Sequence, residues 1–162
     1  MKSLVVVSSY HHKNTEKIAN VMARVLDAHV KTPQQTHPEE LPEYDLVGFG
    51  SGIYDEKHQK TVLELAARLP QVTNGKAFIF STSGYAERSA VAKAHSPLRE
   101  KLKSKGYTIV GEFNCAGYNT NSFLRMFGGI NKGRPNAEDL KRAEEFALGL
   151  KGNLQQGNGR EC

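Results

Sequence analysis

The residues best equipped for chemistry form one run, Ser8-Ser9-Tyr10-His11-His12-Lys13-Asn14-Thr15. It gathers hydroxyls, imidazoles, an ammonium and an amide, all of which donate hydrogen bonds to an anion. The β-branched run Leu4-Val5-Val6-Val7 before it predicts a strand buried on both faces. After it, Ile18, Ala19, Val21, Met22, Val25 and Leu26 recur at helical spacing, so the chain enters a helix near Asn14. The donors therefore stand at a helix N-terminus, where free backbone N–H groups and the helix dipole favour phosphate. A cap formed by Asn14 or Thr15 would account for one residue of this run and leave the rest unexplained.

Two further loops offer matching chemistry. Ser51-Gly52-Ile53-Tyr54-Asp55 follows the apolar run Leu46–Gly50, and Ser81-Thr82-Ser83-Gly84-Tyr85 follows Ala77–Phe80. Gly52 and Gly84 permit close backbone approach, while Tyr54 and Tyr85 have rings that lie flat against a planar ligand. Either tyrosine alone would read as half packed on a rim. Two such loops beside a phosphate loop point to a planar, phosphorylated ligand.

The elements that must position these loops alternate between strand and helix. Apolar runs at Leu4–Val7, Leu46–Gly50, Ala77–Phe80 and Thr108–Phe113 predict strands, with a short, weak edge strand over Ala28–Thr32. Helical spacing appears at Val62, Leu63, Leu65, Ala66 and Leu69, at Leu98 and Leu102, and from Ala137 to Leu150. This alternation predicts an α/β three-layer sandwich with a five-stranded parallel sheet in the order 2-1-3-4-5. Its ligand crevice lies at the C-terminal ends of the first and third strands. The 162 residues suit one domain over 1–152, followed by a polar tail over 153–162 that reads as disordered.

These anchors resemble the flavodoxin family over nearly the whole chain, from Lys2 to about Leu150. They are Val5–Glu16, the block Tyr44-Asp45-Leu46-Val47-Gly48-Phe49-Gly50-Ser51-Gly52-Ile53-Tyr54, and Phe80-Ser81-Thr82-Ser83-Gly84. The resemblance implies non-covalent FMN, with Tyr10, His11, His12, Lys13, Asn14 and Thr15 around the phosphate. It places Ser51, Gly52, Ile53 and Tyr54, with Thr82, Ser83, Gly84 and Tyr85, on either side of the isoalloxazine. Asn14 and Thr15 match the end of the family's phosphate motif. Where many flavodoxins carry tryptophan this chain has none, so Ile53 or Tyr54 serves there. The implied role is electron transfer between redox partners.

Charge departs from that family's usual acidity. A formal net charge of +5 steers the chain toward an acidic redox partner. Between the fifth strand and last helix lies the long connection 117–135, whose Phe, Leu, Met and Ile argue against disorder. It reads as a lid, a partner-docking face or a structural cover, with Arg125, Lys132 and Arg134 as a basic rim. The alternative function follows from the lid: an FMN-dependent oxidoreductase acting on a quinone or porphyrinogen.

Other classes fail on specific residues. Receiver domains need acidic residues where Ser8-Ser9 and Gly50-Ser51 stand, and Walker spacing is absent. Lys and Arg alternate with Glu along helices, which excludes a nucleic-acid stripe. No apolar run approaches membrane-spanning length and no signal peptide opens the chain, so a cytoplasmic protein is expected. Cys115 reads as a small buried hydrophobe, while His58 and His95 read as solvated or capping residues with nothing at metal spacing. Asp55 and Glu56 read as solvated acids beside Lys57. No catalytic acid or base is assigned.

Overall fold

A computed structural model describes residues 1–10, 13–84, 87–117 and 133–158. Strand β1 (Ser3–Ser8) leads into helix α1 (Asn14–Leu26), then β2 (His29–Lys31), β3 (Leu46–Tyr54) and β4 (Lys57–His58). Helix α2 (Lys60–Arg68), β5 (Gly75–Ser83), α3 (Arg88–Ser104), β6 (Tyr107–Ala116) and α4 (Ala137–Asn158) follow. The parallel sheet runs β2-β1-β3-β5-β6, which is the expected 2-1-3-4-5 order once β4 is set aside. The sixth strand, β4, pairs antiparallel with the end of β3 and was not anticipated from sequence.

Alternation along the strands sends side chains to two separate cores. Val5 and Val7 of β1, with Phe78, Phe80 and Phe113, pack under Ile18 and Met22 of α1 and Ala143 and Ala147 of α4. Leu4 and Val6, with Phe49 and Ile79, pack under Val62 and Leu65 of α2 and Leu98 and Leu102 of α3. Gly48 and Gly50 leave room on β3 for two aromatic rings. A Cβ at either position would lie 2.3 Å from the ring of Phe78 or Phe80 respectively.

An irregularity in β6 decides what faces α3. Ala77 pairs with Ile109 but Phe78 pairs with Gly111, so β6 carries one extra residue at Val110. Because side chains alternate with period two, the bulge exchanges the faces of everything beyond it. Glu112 and Asn114 then join the α3 side, and Phe113 and Cys115 the α1–α4 side.

The last helix corrects the expected tail. It continues past Leu150 to Asn158, because Leu154 still packs on the α1 side of the core. Residues 153–158 are therefore helical. The remaining residues of that tail, Gly159, Arg160, Glu161 and Cys162, lie outside the described residues.

Candidate functional site

The helix after the first loop begins where the spacing predicts. Helix α1 begins at Asn14, and its N-cap residue is Lys13, held in the left-handed region at φ 51° with no side-chain cap. A lysine here takes the conformation that glycine adopts most readily. The N-cap side chain itself makes no cap bond, and a helix N-terminus of this kind suits an anion. Asn14 and Thr15 are buried, at 8 % and 1 % exposure. Ser9 Oγ is buried with no hydrogen-bond partner among the described residues. His11 and His12 lie outside the described residues.

Three strand ends converge on this turn. Thr15 Oγ1 lies 2.8 Å from Thr82 Oγ1, tying α1 to the end of β5. Gly117, just past β6, donates its N–H to the Ser83 carbonyl at 3.1 Å. A Cβ at Gly117 would lie 2.9 Å from Asn14 Nδ2 and 3.2 Å from the Thr82 Cβ, so a side chain here would push the Asn14 amide aside. Thr82 and Ser83 belong to β5 itself, and Gly84 is the first residue beyond it. Tyr85 lies outside the described residues.

The second expected loop is a strand and hairpin. Ser51, Gly52, Ile53 and Tyr54 continue β3, and the turn falls at Asp55 and Glu56, with φ of 49° and 61°. Two consecutive positive φ values give the mirror-image turn whose twist suits a two-residue hairpin. Strand β4 then returns along β3, pairing Tyr54 with Lys57 and Ile53 with His58. Glu56 meets Lys93 of α3 at 3.4 Å, so it carries an exposed ion pair rather than standing in solvent alone. Across from Gly52 the Tyr54 ring folds back, and a Cβ at Gly52 would lie 2.9 Å from it. Tyr54 and Tyr10, both exposed, border a cavity of about 430 Å³ that Lys57, Lys60 and Thr61 help to line. Burial raises the Tyr54 phenol above its ordinary pKa, so the ring stays neutral.

Beneath these ends runs a polar rung that sequence reading missed. Ser8, Ser51, Ser81 and Asn114 are register partners across β1, β3, β5 and β6. All four face the α2–α3 side, where the apolar core ends. Ser8 Oγ donates to Gln59 Oε1 and accepts from Thr61 Oγ1. Ser51 Oγ donates to the Gly52 carbonyl and accepts from the Gln59 N–H. Its remaining lone pair takes His58 Nδ1 at 2.8 Å. The Ser51 hydroxyl is thus committed to holding β4 and the α2 entry. Ser81 Oγ lies 2.7 Å from His95 Nε2, and His95 Nδ1 lies 3.0 Å from Glu112 Oε2. Arg99 grips the same carboxylate through two bonds of 2.6 and 2.9 Å.

His58 and His95 are therefore neither solvated nor capping. They are 2 % and 0 % exposed, with ring centroids 5.0 Å apart. Burial lowers the His58 pKa to about 3, helped by the neighbouring His95. Burial also lowers His95, against the pull of Glu112. Hydrogen bonds from Arg99 lower the Glu112 pKa. Ser81, His95 and Glu112 stand in the order of a hydrolase triad, but Ser81 is fully buried inside β5 and no acyl group reaches it. Cys115 is free and buried, its thiol pushed up to about 12, as expected of a packed hydrophobe. The serines ending three apolar strands were the sequence signal for this rung.

Of the basic rim, Arg125 and Lys132 lie outside the described residues, as does most of the 117–135 connection. Arg134 forms a two-pronged ion pair with the buried Asp139 at the start of α4. Among the described residues no helix is long and apolar enough to cross a membrane. Nor does any group of three His, Cys, Asp or Glu there form a candidate metal site.

Comparisons with known proteins bear on the family and the fold. A family model described as a flavodoxin domain matches residues 4–124. An uncharacterized protein of Methanocaldococcus jannaschii is 47 % identical over 150 residues, spanning 93 % of this chain and 98 % of that one. Oxidised flavodoxin 2 from Bacillus cereus superposes with a TM-score of 0.70 at 19 % identity, covering 94 % of this chain and 99 % of that one. A flavodoxin from the domain Archaea superposes with a TM-score of 0.64 at 15 % identity, covering 96 % and 99 %.

Proposed function

Because the chain belongs to the flavodoxin family, we propose that it binds FMN and carries electrons between redox partners. The observation that carries this reading is the α1 N-terminus: a left-handed Lys13 without a side-chain cap, followed by buried Asn14 and Thr15. The orphaned Ser9 hydroxyl beside it and the glycine corner at Gly117 fit a phosphate close to the backbone.

Each residue then has a role. Tyr10, His11, His12, Lys13, Asn14 and Thr15 hold the phosphate, with the α1 dipole adding to the cationic groups. Gly52, Ile53 and Tyr54 lie along one side of the ring, and Thr82, Ser83, Gly84 and Tyr85 along the other. Ser51 contributes only backbone there, because its hydroxyl is buried and committed. The bound flavin supplies the redox chemistry, accepting and giving electrons through its ring system. The protein orients that ring and sets its electrostatic surroundings.

A carrier suits the described residues better than an enzyme for one reason. The imidazoles and carboxylate nearest the strand ends, His58, His95 and Glu112, are tied to one another and to serines. The excess of positive charge favours an acidic redox partner, with association that weakens as salt rises. A cytoplasmic location is proposed on the same footing.

Steady-state oxidation of NADH or NADPH with quinone acceptors tests the assignment. A carrier turns over slowly alone and speeds up with a separate reductase. Rapid turnover by this chain alone, lost when the 117–135 connection is shortened, would make it an oxidoreductase instead.

A further inference from the structure

We propose that His95 is a buried proton acceptor whose charge follows that of the ligand held at the strand ends, with Glu112 as its solvent-side partner. The inference rests on the electron-carrier reading. It assigns His95 as a positioning residue that acts through Ser81 rather than by touching the cofactor.

Hydrogen-bond arithmetic around Ser81 carries the argument. Its hydroxyl has one proton and two acceptors in reach, His95 Nε2 at 2.7 Å and Asn114 Oδ1 at 2.8 Å. With a neutral ring, His95 Nδ1–H donates to Glu112 and Nε2 accepts from Ser81. With a protonated ring, Nε2–H donates to Ser81, which turns its own proton to Asn114. Every polar atom touching the ring keeps a partner in both states. A proton can be added here without orphaning a buried group, which leaves desolvation of the charge, opposed by Glu112, as the cost.

Position links this acceptor to the candidate ligand. Ser81 immediately precedes Thr82 and Ser83, the β5 end assigned to one side of the flavin. Across the rung, His58 packs 5.0 Å from His95 and bonds to Ser51, the residue before Gly52 on the other side. Glu112 is partly exposed and, with His95 and Asn114, borders a cleft of about 550 Å³ between α3 and β6. That cleft gives water a way to the carboxylate.

The charges facing the ring set its balance. Glu112 of β6 favours the charged form, whereas Arg99 of the same helix and burial oppose it. His58 of β4 is neutral. Farther out, Arg88 and the α4-side residues Arg134 and Arg142 line the cleft, and Lys93 is paired to Glu56. Burial thus biases the ring toward its neutral form, and negative charge arriving nearby biases it toward the charged one. Where reduction leaves the ligand with one more negative charge, the proton affinity of the ring rises, and His95 draws part of a proton from water and releases it on reoxidation.

Nitrogen-15 NMR of the His95 ring, from about pH 5 to 9, tests this in the FMN-loaded protein before and after chemical reduction. The ring pKa should rise by about one unit on reduction, the effect of one charge several ångströms away in a partly buried setting. Glu112→Gln, with FMN still bound, should remove the corresponding component from the pH dependence of the midpoint potential. A His95 pKa unchanged between the two redox states would overturn the inference, as would identical pH–potential lines for Glu112→Gln and the native protein. If that variant does not fold, the native ring titration decides alone. A protein that stays colourless with FMN would overturn the functional reading itself, so the two failures are told apart by eye.

Discussion

His95 of α3 and Glu112 of β6 meet at 3.0 Å because β6 carries one extra residue at Val110. Without that bulge, alternation would send Glu112 to the opposite face of the sheet, under α1 and α4. The polar rung below the strand ends therefore depends on an irregularity one turn of pleat away. Its groups make the fold sensitive to pH in a predictable way.

Between about pH 6.5 and 5, unfolded histidines take up protons while His58, with a folded pKa near 3, does not. A base whose pKa is lowered by folding destabilises the folded state as pH falls through its unfolded value. His95 acts in the same direction. Carboxylates titrate mostly below this window, which isolates the two rings. Unfolding free energy from denaturant titrations should therefore drop from pH 7 to about 5, and His58→Gln should flatten that slope. An unchanged slope would show that His58 is not held neutral by burial.

The Thr15–Thr82 contact at 2.8 Å makes a second prediction. Thr15→Val strands a buried Thr82 hydroxyl, at a cost of about 1–3 kcal/mol in the ligand-free protein. Asn14→Ala together with Thr15→Ala should weaken FMN at least about tenfold, since each removes a bond to a charged group. Riboflavin, which lacks the phosphate, should lose far less. Equal losses for both ligands, read by fluorescence quenching, would remove phosphate from this loop.

Glycine substitutions separate close packing from open space. Gly50→Ala drives a methyl to 2.3 Å from the Phe80 ring and should destabilise by roughly 1–3 kcal/mol or more. Gly149→Ala, inside α4 with nothing within 4 Å, should stabilise by about 0.5–1 kcal/mol. Thermal unfolding of both variants checks the pair. A stable Gly50→Ala protein would mean that Phe80 moves freely in the core.

Sequence patterning reached the parallel sheet and the start of α1 because both rest on local, periodic signals. The run Leu4–Val7, the helical spacing after Asn14 and the strand order all appear as expected. Ser51–Tyr54 misled for a physical reason: serine and glycine read as loop residues, but pairing with β1, β5 and β4 holds them in β3. The β4 hairpin was illegible because its turn uses Asp55-Glu56 rather than a glycine pair. His58, His95 and Glu112 stand 17 to 54 residues apart, and a single bulged residue brings Glu112 to the right face. Periodicity cannot register that displacement. Tail residues 153–158 looked polar, yet Leu154 alone anchors another turn of α4.

The most direct test of the central claim is titration of the purified, flavin-free protein with FMN, followed by absorbance and flavin fluorescence. Binding through the α1 N-terminus and the two flanking strand ends predicts saturable, one-to-one quenching with a shifted flavin spectrum. FMN should compete well against riboflavin, and Asn14→Ala with Thr15→Ala should erase that advantage. No spectral change at FMN concentrations in the tens of micromolar would contradict the account.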